Sequence, residues 1–392
     1  MKKHLLRLAF INGLLFLSIC IFAQEYSDFY FTRVNGENGL SESNVKAILQ
    51  DSYGFMWFGT KNGLNRYDGT SILQFDCDDL EEGTGNHNIG ALFEDKERNL
   101  WVGTDRGVYI YNPAVDVFKR FKIASSEGIT LDNWVAEILS DSLDNIWVLI
   151  PDQGLFRYKD GKVHHYSLID KDNLKNNNPE CICINEQGEV WVGTSGIGLF
   201  KYNYRDDNFE QYLTDRMGRS LIDKTIISIC FQKENAILGI HEGDLLKYNT
   251  RTDELSEVSF LGEKKTFLRD VMCFGDEIWV GSLHGIFIIN EKENNVIHLK
   301  EDLMRSFSLS DNSIYSIYKD YEGGIWIGTM FGGVNYLPNR ILTFAKYVPG
   351  SDPYSLNTKR IRGLAEDNNG CIWIGTEDNG VNVLDPRTGK VH

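Results

Sequence analysis

The side chains best suited to holding a ligand recur at one position of a repeating strand: Asn44, Asn88, Trp134, Asn178, Thr225, Arg269, Ser313 and Arg360. Amides, hydroxyls and guanidinium groups can bond the hydroxyls and oxyanions of a sugar, and the single Trp offers a face for ring stacking. Three residues beyond Trp134, Glu137 places an acid where the aligned residues are mostly small: Ala47, Ala91, Cys181, Ser228, Met272, Ser316 and Gly363. Tyr315 supplies a second aromatic beside the same strand start. The expected ligand contacts are therefore Asn44, Asn88, Trp134, Glu137, Asn178, Arg269, Tyr315 and Arg360, and the expected ligand is a monosaccharide or an oligosaccharide, neutral or anionic. The competing reading is that these residues are solvated loop ends or contacts between repeats.

Other chemistry finds little support. His87, His164, His165, His241, His284 and His298 are scattered without metal-ligand spacing, and the cysteines lack paired zinc spacings. Gly193-x-x-Gly196-x-Gly198 falls in a strand-turn-strand segment with no helix after it, so it reads as a turn and not as a phosphate loop. Asp51-x-x-Gly54-x-x-Trp57 is similar to the Asp-containing turns of sialidase propellers, but its Asp stands one position too early. No arginine cluster or Tyr nucleophile accompanies it. No catalytic residue, metal or cofactor is expected.

The elements that carry these positions are repeats. Gly54-Phe55-Met56-Trp57-Phe58-Gly59-Thr60 returns around Trp101, Trp191, Trp326 and Trp373, more loosely around Trp147 and Trp279, and without its Trp around Ile237. The eight copies are about 45 residues apart and use seven of the eight Trp in the chain. A fixed period of that size marks a propeller or a solenoid. Each unit reads as four short strands with period-2 alternation and turn signals every 8–12 residues, for example Asn44–Gln50, the Trp strand, Leu64–Tyr67 and Ser71–Phe75. Four antiparallel strands per unit make a blade, so the fold class is all-β, a β-propeller. The repeated Trp is expected to pack between neighbouring blades, and the Gly-Thr after it to let adjacent sheets approach closely.

The segment Phe29–Val34 resembles the fourth strands yet precedes the first complete unit. As a spare outer strand it can close a ring by pairing with the third strand of the last blade, which removes an open sheet edge. In a seven-bladed ring it caps Gly333–Tyr336, and Ile341–Phe344 begins a second ring. In a single eight-bladed ring it caps Gly380–Leu384.

Thirty-seven Gly against seven Pro suits many tight turns, and a net charge of −16 without basic blocks argues against nucleic-acid or anionic-membrane surfaces. Residues 1–23 read as a cleaved signal peptide, with Lys2, Lys3 and Arg7 before an apolar run ending at Ala23. A retained anchor is the alternative, but the run is short and broken by Asn12 and Gly13. Export to the periplasm permits disulfides, although most of Cys77, Cys181, Cys183, Cys230, Cys273 and Cys371 read as small core residues.

The run from Gly39-Leu40-Ser41 through Asp51-Ser52-Tyr53-Gly54 to Asn65-Arg66-Tyr67-Asp68-Gly69, and Ser308 through Tyr336, resembles the two-component regulator propeller repeat. The likeness recurs over nearly everything from residue 29 onward. Such repeats build the periplasmic sensors of hybrid two-component systems of Bacteroides and relatives, with two seven-bladed propellers each. The resemblance implies a signal peptide over 1–23, a seven-bladed propeller over 24–340 closed by strand 29–34, and the first blade of a second propeller over 341–392. It implies a sensor that responds to a glycan or its breakdown product and relays to a histidine kinase. The partners so implied are further sensor and kinase domains or a homodimer mate. Where relatives continue into a second full propeller, an immunoglobulin-like domain, a membrane helix and a kinase, this sequence does not. It reads as a truncated sensor, a gene fragment or a stand-alone module, and not as an enzyme. The alternatives are an exported interaction scaffold and, after it, a propeller glycosidase or lyase.

Overall fold

A computed structural model describes residues 29–75, 88–122, 128, 130–168, 178–260, 266–303, 305, 307–339, 347–350 and 353–392. The signal peptide expected at 1–23, Cys77, His87 and the outer strand expected at 341–344 lie outside the described residues. The chain divides into two compact units: Arg33–Leu299 with Ser310–Leu337, and Met1–Thr32 with Lys300–Leu309 and Pro338–His392.

The larger unit is all-β, with the strands of a β-propeller. Sheet 1 comprises Val45–Gln50, Met56–Thr60, Gly63–Tyr67 and Ile72–Phe75, ordered as in sequence and antiparallel throughout. Sheets 2 to 6 repeat this order, their first strands being Ile89–Glu94, Glu137–Ser140, Pro179–Ile184, Ile222–Gln232 and Leu268–Phe274. Sheets 4 and 5 are also bonded to one another, because Val190–Ile197 runs on to pair Ser195 with Thr225 and Ile197 with Ile222. Sheet 7 contains Ile314–Lys319, Ile325–Thr329 and Val334–Leu337, and its fourth strand is Thr32–Val34 from the beginning of the chain.

The cores lie between consecutive sheets. Trp57 packs with Ile89, Val102, Tyr109 and Tyr111 of sheet 2, Trp101 with Val135 and Phe156 of sheet 3, and Trp147 with Ile182, Val192 and Tyr202 of sheet 4. Trp191 and Ile237 continue the series into sheets 5 and 6. Trp326 and Val334 of sheet 7 pack with Val45, Ile48 and Phe58 of sheet 1, so the succession returns to its start. The residue two after the Trp is Gly because the next sheet stands against it. A Cβ on Gly59 would lie 2.5 Å from Ile89, on Gly103 2.6 Å from Val135, and on Gly193 2.6 Å from Ile226.

An acid at the first turn fixes Trp57, Trp101, Trp147 and Trp326 from behind. Asp51 accepts the backbone N–H groups of Tyr53 and Phe55 and the indole N–H of Trp57 at 2.7 Å. Asp95, Asp141 and Asp320 hold Trp101, Trp147 and Trp326 in the same way, each at 2.9 Å. The sialidase-like turn is therefore a structural staple.

The smaller unit contains a three-stranded antiparallel sheet, Ile361–Glu366, Ile372–Thr376 and Val381–Leu384, over a small core of Leu356, Ile374, Leu384 and Val391. Here one expectation is corrected. Trp373 is 46% exposed, whereas the six other Trp of the repeat are 6% exposed or less. The reason is that each buried Trp packs on the sheet that follows it, and among the described residues no sheet follows this one. The cysteine reading is corrected too: Cys230 and Cys273, on the first strands of sheets 5 and 6, form a disulfide with Cα atoms 5.9 Å apart. Neighbouring first strands run side by side, which brings the two thiols together across a sequence separation of 43. Cys181, Cys183 and Cys371 are free.

Candidate ligand site at the ends of the first strands

Nearly every first strand of the ring carries an irregularity at the same place. The register with the second strand skips between Val45 and Ala47, Ile89 and Ala91, Pro179 and Cys181, Ile226 and Ser228, Leu268 and Asp270, and Ile314 and Ser316. A bulge adds one residue and turns its side chain away from the alternation of the strand. The extra residues are Lys46, Gly90, Glu180, Ile227, Arg269 and Tyr315. Sheet 3 has no such skip, and its contribution is Trp134, three residues before the strand.

These side chains meet within and beyond adjacent sheets: Arg269 and Lys46 each reach Tyr315 of a neighbouring sheet, and Lys46 reaches Trp134 past sheet 2. The Lys46 ammonium lies 4.6 Å from the centre of the Trp134 ring and 5.9 Å from that of Tyr315. The Arg269 guanidinium lies 5.6 Å from the Tyr315 ring. Sheets 1, 3, 6 and 7 can converge in this way only where their first strands face a common axis. Sheet 2 supplies the space: a Cβ on Gly90 would stand 2.6 Å from the Trp134 ring, so only Gly lets the indole cross to Lys46.

The electrostatics are cationic within an acidic protein. Burial lowers the pKa of Lys46, and the charges of Lys61 and Arg269 lower it further, against an opposing pull from Asp105. Two cations held this close favour an anion between them, and cation–π contact leaves their hydrogen-bond donors free to point elsewhere. Glu180 belongs to the same ring of bulges, and burial followed by the charge of Asp152 raises its carboxyl pKa.

The structure therefore brings Trp134, Arg269 and Tyr315 together and adds Lys46, which sequence reasoning missed. The strand-start residues stand beside them. The Asn44, Asn88 and Asn178 carbonyls accept the N–H groups of Lys61, Asp105 and Ser195, which close the first two strands of their sheets. The amide oxygens of Asn44 and Asn88 are buried without a hydrogen-bond partner. Asn178 reaches Asp152 at 3.5 Å, a weak contact. Arg360 belongs to the smaller unit, exposed, with its carbonyl accepting from Glu377.

Two alignments made from sequence are corrected by the register. The residue of sheet 6 opposite the repeat Gly is Asp270, opposite Gly281, and not Met272, which faces Trp279. Arg269 is accordingly the bulged residue, and the strand-start position of sheet 6 belongs to Phe267, whose carbonyl accepts from Leu283. The turn is short, with Phe274 pairing with Glu277 across only Gly275 and Asp276, but it shortens the count back from the Trp by one residue and not by the three that the alignment with Met272 assumed.

Glu137 lies one layer deeper, opposite Leu149, on the wall and not at the mouth. Its carboxylate accepts the backbone N–H of Ile182 in sheet 4 at 2.6 Å. Burial pushes its pKa up to about 8, helped by the charge of Asp270 and opposed by that hydrogen bond. Glu137 ties two sheets together. Among the described residues no His, Cys, Asp and Glu group has the arrangement of a metal site.

The two-component regulator propeller family matches residues 39–62, 83–106, 308–331 and 355–378. The fold is similar to the extracellular domain assigned to a hybrid two-component system from B. thetaiotaomicron, at 26% identity and a TM-score of 0.71, over 93% of this chain and 49% of that one. A second extracellular domain from the same organism, assigned to a one-component system, is similar at 22% identity and a TM-score of 0.67, over 93% and 53%. A streptogramin B lyase shares the fold at 15% identity and a TM-score of 0.60, over 79% and 97%. A stretch of 54 residues is 46% identical to histidine kinase P4 of Formosa agariphila, which is 14% of this chain and 4% of that protein. The chain spans about half the length of the two extracellular domains it matches. Among the described residues no helix is long and apolar enough to cross a membrane. The Trp-centred units, their antiparallel blades and these likenesses agree: the fold is that of a β-propeller, and four stretches of the chain match the two-component regulator propeller repeat.

Proposed function

We propose that the chain is the extracytoplasmic, ligand-sensing part of a two-component signalling protein. It is exported by residues 1–23 and binds a glycan or its breakdown product where the first strands converge. The observation that carries this reading is the meeting of Lys46, Trp134, Arg269 and Tyr315 from four different sheets. Aromatic faces stack against sugar rings, and paired cations bond a carboxylate or sulfate, so an acidic saccharide fits best. The similarity to extracellular domains of two-component systems supports the signalling context, and the disulfide between sheets 5 and 6 suits an oxidising compartment.

On this reading residues 24–340 form one seven-bladed propeller and residues 341–392 the first blade of a second. The exposure of Trp373 and Leu364, whose counterparts are buried or half-buried in the larger unit, supports the assignment. Occupancy of the site would change how propellers or subunits pair, and so control a histidine kinase joined to the complete protein. Isothermal titration of the complete sensor against neutral and acidic mono- and oligosaccharides tests the proposal. Binding confined to acidic members is expected, and a panel without any binder would sink it.

A further inference from the structure

A cavity of about 300 Å³ lies between sheets 1 and 2 beside the Asp51–Gly54 turn, at the opposite end of the first strand from its bulge. Its walls include Tyr53, Phe55, Trp57 and Tyr111, and two cations, Arg66 and Arg98, line it together with the carboxylates of Asp51 and Glu94. Arg66 is the informative one. It sits on the third strand opposite Trp57, a position that carries a cation in three other sheets: Arg157, Lys201 and Lys247. Each of those three is neutralised, by Asp207 at 2.8 Å, Glu189 at 2.6 Å and Glu291 at 2.6 Å.

The Arg66 guanidinium makes no hydrogen bond or ion pair with any described residue. It lies instead over aromatic faces, 4.6 Å from the centre of Phe55, 5.5 Å from Phe75 and 5.7 Å from Trp57. The carboxylates close to it are already engaged by neutral donors. Asp51 holds Tyr53, Phe55 and Trp57, Glu94 takes the N–H and hydroxyl of Ser52 at 2.7 and 2.9 Å, and Asp116 takes the Tyr111 hydroxyl at 2.8 Å. Across the cavity Arg98 lies 5.0 Å from the Tyr53 ring. A guanidinium presents five N–H donors in a planar fork that matches a carboxylate, and leaving it unbonded in a partly buried site is costly.

We propose that this cavity binds a small ring-bearing carboxylate. Arg66 forks the carboxylate, Arg98 adds a second positive charge, and the ring packs against Tyr53 and Tyr111. The site is separate from the one formed by the bulges and does not depend on it.

The test uses the purified chain, with benzoate and glucuronate as probes and benzamide as the uncharged isostere of benzoate, read by saturation-transfer NMR and titration. Benzoate should bind at least about tenfold more tightly than benzamide. Arg66→Met, which keeps the stem over Phe55, should remove that preference, and Arg66→Lys should recover part of it. Lys201→Met, at the equivalent position of sheet 4, should leave it unchanged. Equal binding of benzoate and benzamide to the unaltered chain would overturn the proposal without any variant. So would failure of both anions to bind at millimolar concentration, or equal weakening by Lys201→Met.

Discussion

Glu137 and Asp270 occupy the same register position in sheets 3 and 6, opposite Leu149 and Gly281, and each grips the first strand of the following sheet through a backbone N–H. Glu137 takes that of Ile182 at 2.6 Å and Asp270 that of Ile317 at 2.8 Å, while Ser228 of the preceding sheet donates its hydroxyl to Asp270 at 3.0 Å. Two buried acids thus tie neighbouring sheets together through backbone N–H groups. Each acid also raises the cost of ionising its own carboxyl by being buried.

The pH dependence of stability follows from that burial. Glu137 has a folded pKa of about 8 against an unfolded value near 4.5, so between these values the folded chain holds the extra proton. Its contribution is therefore complete below about pH 4.5 and is lost as pH rises toward and through 8. Asp270 shifts in the same direction, and the neighbouring Cys181 and Cys183 thiols are held neutral by burial. Carboxyls with lowered pKa values, such as Asp215 at about 2, finish titrating below this window. Melting temperature should fall between pH 5.5 and pH 8.5, and Glu137→Gln should flatten that fall. An equally steep profile in the variant would refute the assignment.

The Trp series should not respond uniformly. Replacing Trp101, 2% exposed and packed on sheet 3, with Ala should cost about 3–5 kcal/mol through the cavity it leaves. The same change at Trp373, 46% exposed, should cost about 1 kcal/mol or less. Urea denaturation of the two variants measures the contrast, and equal losses would mean that the face around Trp373 is covered in solution.

The Cys230–Cys273 bridge closes a loop across a separation of 43 residues, which corresponds to about 4 kcal/mol in the chain-entropy account. Intact mass after alkylation should show two blocked thiols. The double variant Cys230→Ser, Cys273→Ser should melt several degrees lower than the oxidised chain and be indifferent to reductant. An oxidised chain that is equally indifferent would show the bridge to be energetically idle.

At the proposed saccharide site, Trp134→Ala should weaken an acidic ligand about tenfold, through loss of stacking and of the contact that holds Lys46 in place. Lys46→Met should weaken acidic ligands more than neutral ones, and added salt should reproduce part of that loss. Titration at two ionic strengths separates the two effects. Unchanged affinity in both variants would move the site elsewhere.

The blade was written in the sequence by itself. Trp57 and its copies count the units, Asp51 and its copies mark the turn that fixes them, and Gly59 marks where sheets approach. All of these act within about fifteen residues of one another along the chain, so a one-dimensional pattern carries them. Trp134 stood out because it departs from its column, whereas Arg269 stood out in a column that the register gives to Phe267.

Tertiary structure decided what depends on residues far apart in sequence or on a shift of one residue. Lys46 was invisible because a bulge, which no local pattern announces, turns its side chain toward Trp134 across Gly90. Asp270 was hidden behind Met272 because the turn before Trp279 is one residue shorter than in sheet 1 and not three. Cys230 and Cys273 looked like core residues until two first strands lay side by side. The partner of Thr32–Val34, nearly three hundred residues away at Val334–Leu337, was one of two that strand pattern allowed. Packing between Trp326 and Phe58 selected it, and no property of either segment alone could have done so.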